Sequence, residues 1–565
     1  MTVRLQPSPA TMRRLAEVAE GRARADLVLM GGAVVNVYTE EVHRDWGVAV
    51  ADGRVAYLGP DAESRAGDQT EVIDLTGDIL APGLIEGHTH LTRIQVSDMV
   101  DLQVRAGVTT SIVESMELAA VCGPDGVRAL LDGAEHMPGR LYYTISGLIM
   151  GDPQHDSIFQ AGEWIPLLDH ALVAGVGEIY WADMLRGHPR TEALVAAALE
   201  RGLAVQGHAA GARLPALNAL AGLGVGSDHE GITAEDVLSR LRLGLTAMAR
   251  HGATRQDLPA IAELWRGRNV DPGRLALVTD GLEPEALAAG NSLNWVVEQA
   301  VELGLSLPRA IRLASRNVAE HFGLGRWLGG IGPGMLADLV VLPRGGGFRP
   351  RLVLVGGRRP EPAPAKRYPH WMLDTVKLDS LDEALLAHPG PGRWRAMELT
   401  APIVTREAET DGSDALVCAV ADRTGGPRGF RGLLKGFGLK NGAVAISSAW
   451  ECPGVLLVGD RPADLAIAAR RLRDLHGGAV VVSEGNVLAE WAAPVAGLYS
   501  ERPLADVVDQ VAAVNGAARA LGCPWPNPIL TLETLTSAAI PFLRIWAGGY
   551  TRLKDGSHAG LEWEA

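Results

Sequence analysis

Two periodicities divide this chain. Apolar and polar positions alternate in short runs over 26–30, 33–38, 46–50, 55–58 and 71–75, with Gly-Gly and Asp-Gly pairs between several of them. That is the pattern of strands joined by tight turns. Ahead of them, Met12, Leu15 and Val18 recur at helical spacing among charges, so residues 1–24 read as a helix leading into a small β-domain. The β-rich pattern returns at 337–342 and 352–356, after Gly332-Pro-Gly-Met335. A sheet written in two separated halves implies an inserted domain, because the halves can pair only if the middle folds by itself.

From Pro82 to about residue 330 the pattern changes. Strand-like runs end at His90, Val113, Ile149, Ile179, Gln206, Gly226 and Thr279, and amphipathic stretches such as 192–201, 234–250 and 292–303 lie between them. This alternation and length predict a TIM-like (β/α)8 barrel, whose functional groups gather at the C-terminal ends of its strands. Residues 359–393 are Pro-rich, charged and aromatic and read as a linker. Beyond it, strands near 442–447, 454–459 and 478–483 and helices near 463–475 and 504–521 indicate a further domain. The expected fold is α/β. It comprises a helix and the first part of a small β-domain (1–81), a barrel (82–330), the second part of the split β-domain (331–358), the linker, and a C-terminal α/β domain (394–565).

Composition narrows the partners. With 565 residues, 47% hydrophobic and 21% charged, the chain is globular and too long for one core. Its net charge of −15 argues against a nucleic-acid backbone or an anionic membrane as partner. The sequence has no uncharged apolar run of about 18 residues, and Arg13, Arg14, Glu17 and Glu20 occupy the place of a signal-peptide core. A cytoplasmic location is the resulting expectation. Cys122, Cys418, Cys452 and Cys523 are too scattered for a disulfide framework or a zinc ribbon. No lysine precedes Lys366, which removes a Walker A loop, a Schiff-base lysine and a carbamylated-lysine metal bridge from the first two thirds. Any bridge between metals there must be a carboxylate.

The richest peptide is Pro82-Gly-Leu-Ile-Glu-Gly-His88-Thr-His90. Residues two apart share a face of a strand, so His88 and His90 can converge on one metal. Further metal-capable side chains follow later runs: Glu178, His208, His229 within Ser227-Asp-His-Glu230, and Asp280. Each has a plain alternative. Glu178 alone reads as a surface charge, His208 as structural, and Ser227, Asp228 or Asp280 as a helix cap. Together, four imidazoles and two carboxylates form a full ligand set for two divalent ions, with Zn2+, Mn2+ and Fe2+ all compatible. Such a pair acidifies a shared water and polarises the bond under attack. Asp280 suits the carriage of that water's proton to a leaving amine.

At these residues the chain resembles the amidohydrolase superfamily and, within it, the adenine deaminase family. The likeness also runs through Ala25–Thr39, Gly177-Glu178, Leu241–Gly244, Lys435–Lys440, Val480–Val482 and Ala496–Ser500. It implies hydrolytic deamination of a 6-aminopurine, or a related aminated heterocycle, at a binuclear centre with Mn2+ or Fe2+ as the usual ions. His88, His90, Glu178, His208, His229 and Asp280 would be ligands, Glu178 bridging, in a homodimer taking a small heterocyclic substrate. Several family positions differ. The family's Asp-Pro-His-Glu reads Glu114-Ser-Met116-Glu117, its His-Asp-Ser-His-Asn run becomes a segment containing Trp450, and a Gly-His pair becomes Gly290-Asn291. Glu117 survives as a group able to protonate a ring nitrogen, or as a mere loop carboxylate. His155 is read as a loop residue, and Arg93 as a surface residue or an anion partner. Hydrolysis of another C–N bond, in a cyclic amide or amidine, is the second reading; a non-catalytic binding protein is the third.

Overall fold

The computed structural model describes residues 5–147, 161–267, 270–345, 347–451, 454–540 and 542–564. Ile149 and His155 lie outside them. Eight parallel strands form a nearly closed barrel: β1 (Leu84–Thr89), β2 (Val108–Glu114), β3 (Arg140–Ser146), β4 (Val173–Tyr180), β5 (Ala204–His208), β6 (Ser227–Asp228), β7 (Thr246–Arg250) and β8 (Leu275–Val278). The seam between β8 and β1 is joined at its C-terminal end. The Asp280 N–H donates to the His88 carbonyl at 3.1 Å, and the Thr279 N–H to the Glu86 carboxylate at 3.2 Å.

Strand β7 departs from the sequence pattern, which continued a helix to residue 250. The helix Ala234–Arg242 opens with a Thr233/Asp236 capping box and stops ahead of Gly244, whose φ of +78° ends it in a left-handed turn. The buried run Thr246–Arg250 then pairs between β6 and β8. Ahead of β6 the expected strand over 221–226 is instead the end of the helix Leu214–Gly222 and a turn at Gly224, and only Ser227–Asp228 pair. Ser227 and Asp228 are not helix caps. Asp228 accepts from the Ala209 N–H and from Arg240 Nε, both at 2.7 Å, and binds two barrel segments together.

Two sheets, of four and five strands, pack together over a common apolar core. In one of them Leu339–Pro343 pairs antiparallel with Asp78–Pro82, so the chain leaves and re-enters the same sheet around the barrel. Over 359–393 the chain is a packed strap. Met372 is fully buried, and Lys366 Nζ donates to the Leu130 and Asp132 carbonyls at 2.9 Å. An eight-stranded sheet and a three-stranded one form the C-terminal part, with helices Pro462–Asp474 and Leu504–Ala520. One continuous apolar core runs from the barrel into it, including Leu91, Ile94, Leu498 and Tyr499. Arg93 is buried at this seam, paired with Glu283 and, at 2.6 Å, with Glu533. It is not a surface residue, and the anionic groups it pairs are two carboxylates of the chain itself. Among the described residues no helix is long and apolar enough to cross a membrane.

Candidate metal centre and cavity

Glu178 stands at the middle of the barrel mouth. Its Oε1 lies 3.3 Å from His88 Nε2, 3.6 Å from His90 Nε2 and 3.5 Å from His229 Nε2, while its Oε2 lies 2.9 Å from His208 Nδ1. Asp280 Oδ1 faces the same histidines, at 3.1 Å from His88, 3.5 Å from His90 and 3.9 Å from His229. The structure therefore brings together all six side chains singled out in the sequence, every one of them buried. One donor atom each from His88, Glu178, His229 and Asp280 lies within 4.8 Å of the others, and so does one each from His208, His229 and Glu230.

Local backbone aims the two carboxylates. Glu178 and Asp280 both have positive φ, 52° and 59°, a left-handed conformation costing a non-glycine residue about 1–3 kcal/mol. Around Glu178 the β4–β5 register shifts between Val176 and Ile179, a bulge that turns its side chain into the mouth. Glu178 Oε2, His208 Nδ1 and His229 Nε2 are buried with no hydrogen-bond partner. Nitrogen lone pairs and carboxylate oxygens facing one another with no donor between them are the chemistry a divalent cation satisfies, and the set fits one.

Electrostatics divide the imidazoles: burial lowers His88 and His90, but the facing carboxylates hold both well above the ordinary imidazole value. Burial alone would raise Glu178 and Asp280, yet His208 and the other imidazoles hold Glu178, and Arg250 holds Asp280, well below the usual carboxylate range. Burial and the neighbouring His88 push His229 down to about 3, leaving it neutral as a ligand must be. For His208 burial is outweighed by Glu178 and Glu230, which raise it to about 9 in the absence of a cation.

A second ring of residues holds the first. Glu114 Oε1 lies 3.3 Å from His88 Nδ1 and Glu117 Oε1 lies 2.6 Å from His90 Nδ1, so each histidine of the pair is backed by a carboxylate while its Nε2 faces inward. Glu117 lines a small cleft with Trp450 rather than the cavity over Glu178, and its Oε1 is turned toward His90. Arg250 Nη1 bridges Glu230 Oε1 at 2.7 Å and Asp280 Oδ2 at 2.8 Å, and Thr254 Oγ1 donates to the same Oδ2 at 2.9 Å. Sequence reasoning missed Arg250 because it lay in the overextended helix; Gly244 was the signal that would have released it. Glu114 and Glu230 stand beside motif residues in the sequence and carry no separate signal of their own.

The centre opens into a cavity of about 340 Å3. His90, Glu178, His208 and Asp280 line it together with Met116 and Trp450, and Ile403, Val404, Ile540 and Phe542 of the C-terminal part complete its lining. Met116 and Trp450 belong to one apolar cluster with Tyr180.

Comparison with known proteins accounts for both halves. Residues 79–359 match the amidohydrolase family and 395–557 the adenine deaminase C-terminal domain. An adenine deaminase of Moorella thermoacetica is 34% identical over 96% of this chain and 96% of its own length. The chain belongs to the adenine deaminase family. Relatives named adenine deaminase 3 in Rhizobium meliloti and adenine deaminase in Archaeoglobus fulgidus are each 33% identical, over 96% and 94% of this chain and 97% and 95% of their own lengths. Of Met116, Trp450 and Asn291, read above as departures from the family resemblance, Met116 and Trp450 line the cavity. Asn291 does not; it follows the helix Pro284–Ala288, where its N–H donates to the Ala286 carbonyl at 3.0 Å.

Proposed function

We propose that this chain hydrolyses the exocyclic C–N bond of adenine, or of a closely related aminated heterocycle, releasing ammonia. The observation that carries the reading is Glu178, strained into the barrel mouth and in contact with four imidazoles. His88, His90, Glu178, His208, His229 and Asp280 would hold two divalent ions, Mn2+ or Fe2+ by family likeness, with Zn2+ compatible. Bound there, such ions supply Lewis acidity, which acidifies water and polarises the bond under attack.

The chain's own residues do the rest. Arg250 and Thr254 occupy Asp280 Oδ2 and leave Oδ1 facing the reaction space, so an ionised Oδ1 takes the water proton and returns it to the leaving amine. A C–O bond forms at the ring carbon as its C–N bond breaks, and ammonia carries that proton away. Met116, Trp450 and the aliphatic residues beside them offer apolar walls to a ring. A homodimer belongs to the same reading and is checked by light scattering.

The decisive experiment measures ammonia release from a panel of aminopurines, aminopterins and lactams by metal-reconstituted protein. Ammonia from adenine or another aminopurine is expected. Ring opening of a lactam without ammonia would move the activity to another C–N bond, and silence from protein holding stoichiometric metal would leave a binding protein.

A further inference from the structure

One of the candidate ligands is held from outside the barrel. His208 Nε2 lies 3.0 Å from the carbonyl oxygen of Ala539, in the C-terminal part of the chain. A carbonyl accepts and cannot donate, so Nε2 carries a proton; once a cation displaces the second proton the lone pair is on Nδ1, which faces Glu178 Oε2 at 2.9 Å. The tautomer of His208 is thus set by a backbone group more than three hundred residues away in sequence.

Within the turn that carries Ala539, whose flanking carbonyls of Thr536 and Ile540 accept from Trp546 and Arg544, the Ala539 N–H itself is held by Glu451. Glu451 Oε1 accepts from Ser537 Oγ and from the Ala539 N–H, each at 2.9 Å, and the Ala539 N–H also reaches Ser537 Oγ at 3.2 Å. The N–H of Ala539 is therefore tied to Glu451 while its carbonyl is tied to His208. Glu451, Ser537 and Ala539 are all buried, with Ser537 and Ala539 at the edge of the cavity. Glu451 itself makes no hydrogen bond to any of the six candidate ligands.

We propose that Glu451 is a positioning residue for the metal centre: through Ser537 and Ala539 it fixes the turn whose carbonyl holds His208 in the Nε2–H tautomer with Nδ1 turned toward Glu178. The C-terminal part then completes the centre as well as covering it, and a barrel without it has an unoriented His208. The inference rests on His208 being a metal ligand, as proposed above.

The test is Mn2+ titration of metal-depleted full-length protein, followed by calorimetry, for the parent chain, Glu451→Ala, Glu451→Gln and Ser537→Ala. Loss of a partner that orients a ligating histidine typically weakens metal binding about 10–100-fold. Glu451→Ala is expected to weaken one Mn2+ site by that factor and spare the other. Glu451→Gln keeps a carbonyl oxygen that accepts both bonds and should stay within about threefold of the parent, far less than the loss of an orienting partner. If Glu451→Ala does not fold, Ser537→Ala carries the test. It removes one of the two donors to Glu451, and the same site should weaken, by up to about tenfold. Parent-like Mn2+ binding in the alanine variants that fold, or a glutamine variant as weak as alanine, overturns the proposal. A parent chain that binds no Mn2+ overturns the ligand reading beneath it instead, so the two failures are distinguishable.

Discussion

Replacing Gly177 by alanine tests the outer ring of the centre without touching a candidate ligand. A Cβ at this position would lie 2.2 Å from both carboxylate oxygens of Glu114 and 2.5 Å from its Cδ. Ordinary contact needs roughly 1 Å more than that, since non-bonded carbons sit at about 3.5–4.0 Å. Glu114 is only 1% exposed, so its carboxylate has no solvent to swing into. It must retreat from His88 Nδ1, now 3.3 Å away, and release that imidazole from its orientation. Overpacking of this kind costs about 1–3 kcal/mol of stability, and loss of the orienting partner about 10–100-fold in metal affinity or turnover. The assay pairs urea unfolding with metal content after brief chelator exposure, on Gly177→Ala beside Glu114→Gln. Both variants should lose metal faster than the parent, and Gly177→Ala alone should also lose stability. If Gly177→Ala is destabilised yet retains metal and turnover like the parent, Glu114 does not orient His88 and the argument for a carboxylate behind each histidine fails.

Three further outcomes follow from the same geometry. Glu178→Gln should lose most bound metal, read by elemental analysis after dialysis, because one neutral amide cannot serve four imidazoles at once. Arg250→Met leaves Glu230 and Asp280 buried without their shared cation and should cost about 3–5 kcal/mol in the metal-free protein. Urea unfolding checks it, and a loss below about 1 kcal/mol, the size of a surface pair, would mean that Arg255, 3.0 Å from Glu230, compensates fully. Burial raises Glu451 from 4.5 to about 7, so the folded state keeps a proton that the unfolded state releases. Stability of the parent should therefore fall as pH rises through that window, whereas Glu451→Gln lacks this slope; unfolding midpoints at intervals across it reveal the difference as a widening gap in favour of glutamine.

Much of the centre is legible in the sequence because barrel topology converts linear order into proximity. Each candidate ligand follows an apolar run, and a parallel barrel places the ends of all such runs on one rim. The illegible parts have physical reasons. Strand β7 follows a helix across only three residues, and its Thr-Ala-Met-Ala-Arg composition suits helix as readily as strand; the turn at Gly244 decides it. The left-handed backbone at Glu178 and Asp280 is invisible beforehand, since ordinary propensities place acidic residues elsewhere and only the surrounding sheet enforces the conformation. Glu117 shows the limit of reading roles from residue type. A buried carboxylate near a histidine serves equally as an acid or as an orienter, and only the direction in which it points separates them.

The C-terminal part is where the linear reading runs out, and the reason is that its contribution is carried by backbone. Ala539 offers His208 a carbonyl oxygen, a group every residue possesses, so no side chain at that position could announce the contact. What can be read is the pair that fixes the carbonyl, Glu451 and Ser537, once the fold has joined them. The same applies to the cover of the cavity, where Ile403, Val404, Ile540 and Phe542 are unremarkable aliphatic and aromatic residues until the seam around Arg93, Glu283 and Glu533 sets them over the barrel mouth. Chemistry at the rim and selection at the cover are thus encoded in different parts of the chain. Substitutions at Ile403 or Phe542 should change which heterocycle is accepted while leaving bound metal untouched, whereas Glu451→Ala should do the reverse.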